Sequence, residues 1–131
     1  IASGTLVTFL VQSSTTTTSL AVPLAGAGAL RLNQIYPFTL GANIGTCMTA
    51  LIAAFAVDQS TLDVALQIAL AHLLFNTLSV AIIYGVAPLR KFPIWAAEGL
   101  ALLAQKRKIY AFGYLAMLFF ALPGLVWFLS S

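Results

Sequence analysis

The sequence predicts an all-α membrane protein, built from a re-entrant helical hairpin, a broken transmembrane helix and two full spans. Its 131 residues are 61% hydrophobic and only 7% charged, with a mean hydropathy of +1.02, whereas soluble domains carry about 25% charged residues. The apolar segments have two lengths, one near half a bilayer and one near a full bilayer. One long polar run, Gln12–Ser19, interrupts the first of them.

The charged residues predict an orientation. The net charge is +3, and the basic residues stand between apolar segments, not in the aromatic-interleaved stripe of a nucleic-acid surface. If residues 35–57 cross the membrane and 61–85 cross back, all the basic residues share one side, which is the cytoplasm by the positive-inside tendency. Asp58 and Asp63 then face the other side. The basic residues are Arg31, Arg90, Lys91, Lys106, Arg107 and Lys108.

Residues 1–31 predict the re-entrant hairpin. Gln12–Ser19 supplies one amide and seven consecutive hydroxyls between two apolar arms, each too short for a core that needs about 20 helical residues. Polar groups at membrane depth are tolerated where they line a cavity. The tip is therefore a candidate site for a small hydrated ligand.

The first residue is Ile1, with no charged segment before the first apolar run, which predicts a fragment of a larger protein and not a signal peptide.

Residues 35–57 predict a helix that is broken near its middle. Gly41 and Gly45 flank Asn43, and each glycine weakens a helix by about 1 kcal/mol relative to alanine. A break there would begin a second half-helix at Thr46, whose N-terminus could bind an anion, while unwound carbonyls and hydroxyls would suit sodium. Discontinuous helices of this kind form the sites of many secondary transporters.

The remaining segments predict two full spans and a surface helix. Residues 61–85 are long enough to cross, with His72, Asn76 and Ser79 on one face. Residues 93–105 are too short to cross and carry a narrow polar stripe, which predicts an interfacial helix. Residues 109–130 form the second span, with a kink expected at Pro123. The basic clusters are orientation signals first, and contact with acidic lipid is a secondary possibility.

Two motifs resemble the type II sodium-dependent phosphate cotransporter family. Gln12-Ser13-Ser14-Thr15 resembles the family's QSSS tip, and Gly41-Ala42-Asn43-Ile44-Gly45-Thr46 resembles its G-x-N-I-G-T-T break. In that family the pair occurs once in each of two inverted repeats. Further similarity extends to Tyr36–Leu40, Ala71–Asn76 and Phe119–Pro123. The chain is therefore similar to the C-terminal half of such a transporter, a single repeat unit over residues 1–131.

The resemblance implies sodium-coupled phosphate symport by alternating access, with no enzymatic activity and no cofactor beyond sodium as the coupling ion. Implied partners are inorganic phosphate, sodium, the N-terminal repeat and the lipid bilayer, in a plasma or bacterial inner membrane. The implied substrate and ion ligands are Gln12, Ser13, Ser14, Thr15, Thr16, Asn43, Gly45 and Thr46. Of these, Gln12, Ser14, Thr15, Asn43 and Thr46 are the implied sodium ligands.

The chain departs from the family pattern at three positions. Thr15 replaces a serine, and Cys47 and Met48 stand where the family usually has threonines, which removes two hydroxyl oxygens. A channel-like or structural membrane subunit for another small anion is the alternative function. An intramembrane hydrolase using Ser13 or Ser14 with His72 is disfavoured, because no G-x-S-x-G elbow is present.

Overall fold

The computed structural model describes residues 1–130, which form helices joined by short connections, with no strand in that range. Ser131, the last residue of the predicted 1–131 unit, lies outside the described residues. The prediction of an all-α chain is confirmed. The helices are α1 (Ala2–Val11), α2 (Ser14–Gly26), α3 (Leu32–Ala54), α4 (Gln59–Gly85), α5 (Ala87–Lys106), α6 (Lys108–Ala116) and α7 (Leu122–Ser130), with a π-helical turn (Met117–Ala121) joining the last two.

Three helical stretches are long and apolar enough to cross a membrane. They are Leu32–Ala54, Gln59–Gly85 and the continuous stretch Lys108–Ser130, with mean hydropathies of 1.3, 1.8 and 2.0. In contrast, α1 and α2 have 10 and 13 residues and extend only about 15 and 20 Å. Neither reaches across a hydrocarbon core of about 30 Å.

The chain divides into two compact units, Ile1–Arg90 and Lys91 onward. The single repeat unit over residues 1–131 stays a prediction. In the first unit, α1, α2 and α4 all contact α3. The residues buried in these contacts are small, which allows helices to pack closely where dispersion drives association. They include Gly4, Thr8, Thr17, Ala21, Gly41, Ala42, Gly45, Cys47, Ala54 and Ala69.

The predicted break in the third segment is wrong, because α3 is one continuous α-helix. The glycines serve close packing instead of unwinding. A Cβ added at Gly41 would overlap the carbonyl of Ile1, and one added at Gly45 would lie 2.7 Å from both the Thr5 carbonyl oxygen and the Thr8 Cβ. Glycine is thus required by the partner helix, and the backbone stays helical because its own hydrogen bonds are undisturbed.

The helix α3 also begins earlier than the sequence predicts. It starts at Leu32, so Pro37 is the sixth helical residue. Hydrogen bonds at the end of α2 and at the start of α3 fix this boundary. Gly28 adopts a φ of 73° after α2, and the N–H groups of Gly28 and Ala29 donate to Ala25 and Leu24 at 3.0 and 2.9 Å, which is a Schellman motif. The Gln34 side chain then accepts the Arg31 N–H at 2.9 Å.

The second unit contains most of α5 and the last membrane-capable stretch. α5 has 20 residues and so exceeds the predicted interfacial helix, residues 93–105, at its N-terminal end. The π-helical turn at Met117–Ala121 lies where the ring of Pro123 would clash with the carbonyl four residues earlier. The irregularity expected at Pro123 therefore takes the form of a π-helical turn, which is wider than a turn of α-helix.

Candidate substrate and ion site

The tip between α1 and α2 consists of two residues, Gln12 and Ser13. Gln12 ends α1 with φ 57° and ψ 25°, the left-handed region that residues with a Cβ seldom occupy. It is the one non-glycine residue with positive φ in the described chain. Its N–H donates to the Thr8 carbonyl at 2.7 Å. Such backbone strain concentrates at functional sites.

Ser13 is the N-cap of α2. Its Oγ accepts the Thr16 N–H at 3.2 Å and the Thr16 hydroxyl at 2.9 Å. The Thr17 and Thr18 hydroxyls donate to the carbonyls of Ser13 and Ser14 at 2.9 and 2.8 Å. The polar run is thus mostly the first turns of a helix, and the hydroxyls of Thr16, Thr17 and Thr18 are already engaged in holding it.

Three side chains at the tip are free to bind a ligand. Within the described residues, the Gln12 amide and the Ser14 and Thr15 hydroxyls form no hydrogen bond. Gln12 and Thr15 are exposed, and Ser14 is half-buried. An amide and two hydroxyls in adjacent positions offer both N–H or O–H donors and oxygen acceptors.

On α3, the predicted ligands divide into two kinds. Asn43 is exposed, and its amide has no partner in residues 1–130. The Thr46 hydroxyl donates to the Ala42 carbonyl at 3.1 Å, which leaves its lone pairs available. Gly45 is buried beneath Thr8 and acts as a packing residue. No hydrogen bond in the described chain joins Gln12–Thr16 directly to Asn43–Thr46.

Close contacts fix the register of α1 on α3. The Thr5 hydroxyl donates to the Gly41 carbonyl at 3.0 Å, and Thr8 packs on Gly45. These pairs advance in the same direction, so the two helices run parallel. One further turn brings Gln12 level with Thr49, which the sequence analysis did not single out. The sequence feature that could have indicated Thr49 is its position three residues after Thr46, about one helical turn further on. The Thr49 hydroxyl donates to the Thr46 carbonyl at 2.8 Å.

Thr8 is a second residue that the sequence analysis did not place in the site. It is completely buried, and its Oγ1 is the one buried side-chain N or O atom without a hydrogen-bond partner in the described chain. Its methyl group and Cβ contact Gly45. Thr8 therefore packs α1 closely against α3, one helical turn before Gln12.

Cys47 and His72 link α3 to α4 and not to the tip. Cys47 is buried, and its Sγ lies 3.2 Å from the Asn43 carbonyl oxygen and 3.7 Å from that of His72. The His72 carbonyl also accepts the Asn76 amide at 3.0 Å. Neither Ser13 nor Ser14 hydrogen-bonds to His72 in residues 1–130.

The side chains of Gln12–Thr16 and Asn43–Thr46 carry no charge. Residues 1–130 contain no group of three His, Cys, Asp or Glu side chains that could hold a metal ion. The free ligands are neutral amides and hydroxyls next to membrane-capable helices. The fold is that of a chain with three helices long and apolar enough to cross a membrane.

The chain belongs to the Na+/Pi-cotransporter family, whose profile matches residues 1–126. The resemblance inferred from the two motifs is confirmed. The chain is 43% identical over 127 residues to sodium-dependent phosphate transport protein 2B of Bos taurus and 42% identical to that of Homo sapiens. It is also 42% identical to sodium-dependent phosphate transport protein 2A of Ovis aries.

Each of these matches covers 97% of this chain but only 18% to 20% of the relative. The chain thus spans about a fifth of the length of the curated relatives it matches. No solved structure gives a significant match.

Proposed function

We propose that this chain forms part of a sodium-coupled phosphate symporter and contributes half of its substrate site. The observation that carries the proposal is the set of unpaired amide and hydroxyl groups at the α1–α2 tip, in a chain of this family. The named relatives are sodium-dependent phosphate transport proteins. Their substrates, phosphate and sodium, need the two kinds of group that the tip offers.

The proposed ligands have distinct roles. Phosphate oxygens accept hydrogen bonds from the Gln12 and Asn43 amides and from the Ser14 and Thr15 hydroxyls. Sodium binds the oxygen atoms of Gln12, Ser14, Thr15, Asn43 and Thr46, since hard cations prefer neutral or anionic oxygen. Ser13 and Thr16 hold the shape of the tip through their mutual hydrogen bonds. Gly45 lets α1 approach α3.

The tip is proposed to lie at membrane depth. Because α1 and α2 are too short to cross, the α1–α2 hairpin enters and leaves on one side, and the adjacent helix α3 spans. Polar groups at that depth are stable when they face a cavity. The cavity is completed by an equivalent N-terminal repeat, so that this chain is the C-terminal half of an inverted-repeat transporter in a plasma or bacterial inner membrane.

Phosphate uptake by the complete protein tests the proposal. Reconstituted into phosphatidylcholine vesicles with a sodium gradient, the protein is expected to accumulate radiolabelled phosphate saturably. Replacing sodium with choline should reduce the rate to that of protein-free vesicles. Uptake that rises linearly with phosphate and is indifferent to sodium would instead establish the channel-like alternative.

A further inference from the structure

α5 is long enough to cross a membrane but is not one of the membrane-capable helices. Its 20 residues extend about 30 Å, yet it carries Arg90, Lys91, Glu98 and Lys106. It is also the most strongly amphipathic helix of the chain. Charged residues at the centre of a bilayer are costly. A helix of this kind is stable in the plane of the membrane surface.

The part of α5 within the second unit carries a polar stripe with exposed aromatic rings beside it. Lys91, Glu98 and Gln105 recur every seven residues, which places them along one side. Phe92 and Trp95 flank this stripe, at about 100° and 40° around the helix axis from Lys91. Their side chains are 66% and 70% exposed, with ring centroids 6.4 Å apart. Exposed aromatic rings that pack on each other favour the boundary between headgroups and acyl chains.

The end of α5 places three consecutive basic residues beside a membrane-spanning helix. Arg107 is the only residue between α5 and α6, and it has extended φ and ψ of −152° and 123°. The chain therefore changes direction there and enters the stretch Lys108–Ser130, the most apolar of the three spans. Lys106, Arg107 and Lys108 must then lie at the level of the headgroups, and we call these three residues the basic corner.

The basic side chains in this region have no acidic partner. Residues 91–108 include four basic residues and one acidic residue. No ion pair joins any of them to a carboxylate within the described chain. All four basic residues are exposed. The uncompensated positive charge therefore lies at the two ends of this part of α5, with Lys91 at one end and Lys106, Arg107 and Lys108 at the other.

We propose that the second unit binds anionic phospholipid headgroups through Lys91 and the basic corner, with the adjacent rings of Phe92 and Trp95 at the boundary between headgroups and acyl chains. A lipid surface matches this arrangement, because it presents many negative charges in one plane at the depth where α5 lies. A single free phosphate does not match it, because the cations are spread along an open helix and enclose no cavity. The proposal requires membrane insertion of the last span but is independent of phosphate transport.

Native mass spectrometry of the complete, detergent-solubilised protein tests this lipid site. The protein is titrated separately with phosphatidylglycerol and phosphatidylcholine, and bound lipids are counted. The parent protein is expected to bind phosphatidylglycerol at least about tenfold more tightly, since each basic residue near an anionic surface contributes about fivefold. The triple variant Lys106→Gln, Arg107→Gln, Lys108→Gln should lose this preference.

Two controls separate charge from other effects. The charge-conserving variant Lys106→Arg, Arg107→Lys, Lys108→Arg should keep the preference. Lys91→Gln leaves the corner intact for insertion and should weaken phosphatidylglycerol binding by about fivefold, so it remains informative if the triple variant does not insert. An unchanged preference in both glutamine variants would overturn the proposal.

Inorganic phosphate at millimolar concentration provides the last comparison. It should leave the bound phosphatidylglycerol in place, and displacement would assign the corner to free phosphate and overturn the lipid site. Because lipid counting needs neither sodium nor transport, its failure would leave the proposed symport untouched. Conversely, a protein that fails to take up phosphate could still show the lipid preference.

Discussion

At the scale of single residues, Gln12 combines backbone strain with an unused side chain. Its left-handed conformation turns the chain between α1 and α2, and glycine would adopt that conformation at lower cost. Its amide makes no hydrogen bond within the described chain. In the proposed symporter, a ligand role of the amide accounts for glutamine at a position where glycine would be more stable.

Gln12→Gly is therefore expected to separate stability from transport. The variant should be as stable as the parent protein or more so, because the strain is relieved. Its phosphate uptake should fall at least about tenfold, since a hydrogen bond to a charged ligand is lost. Thermal unfolding in detergent and initial uptake rates measure the two effects.

Gln12→Ala is the companion variant, because it removes the amide while keeping a Cβ in the strained conformation. It too should abolish most uptake without preventing membrane insertion. Retained uptake in both variants would exclude Gln12 from the site.

At the scale of elements, the contact between α1 and α3 explains which predictions were accurate. Apolar segment lengths and the polar run located the helices around the tip, because both are local properties of the sequence. The break at Gly41–Thr46 was predicted wrongly for the opposite reason. Glycine weakens a helix in isolation, but here Gly41 and Gly45 accommodate Ile1 and Thr8 of another helix, and no local pattern reveals that partner.

The candidate site was predictable to a similar degree. The free amides of Gln12 and Asn43 follow from their residue types and their positions in the two motifs. The sequence could not separate Ser14 and Thr15, whose hydroxyls are free, from Thr16, whose hydroxyl is bound to Ser13. Thr49 was missed because its relation to Gln12 depends on the register of α1 against α3.

Gly45→Ala should disrupt this helix contact. The new methyl group would lie 2.7 Å from the Thr5 carbonyl oxygen and the Thr8 Cβ, and overpacking of this kind costs about 1–3 kcal/mol. We expect a lower unfolding temperature and reduced uptake in the complete protein. Gly26→Ala is the matched control, because an added Cβ there has no neighbour within 4 Å. Equal effects of the two substitutions would refute the packing role of Gly45.

At the scale of the whole molecule, charge and helix length define a topology. Arg31 precedes α3, and four residues, 55–58, connect α3 to α4. If both helices span, the N-terminal end of α3, which follows Arg31, and the C-terminal end of α4, which precedes Arg90, share a side. Asp58 and Asp63 then lie on the opposite side.

Cysteine labelling at the two ends of α4 tests this topology. In a complete protein without other reactive cysteines, Gln59→Cys is expected to react with a membrane-impermeant maleimide added outside the cell. Val86→Cys should react only after the membrane is made permeable. The buried Cys47 gives the background signal. Labelling of Gln59→Cys from the inside only would reverse the orientation.

The backbone contact between α1 and α3 also restricts how the protein can change shape. Separating the two helices would break the bond from the Thr5 hydroxyl to the Gly41 carbonyl and expose the packed glycine surfaces. Since lipid offers no replacement partner for these groups, we expect α1 and α3 to remain together throughout the cycle of the proposed symporter. The tip would then be carried as a rigid body with α3. Access to it would change by displacement of that body against its surroundings, not by opening of the α1–α3 contact.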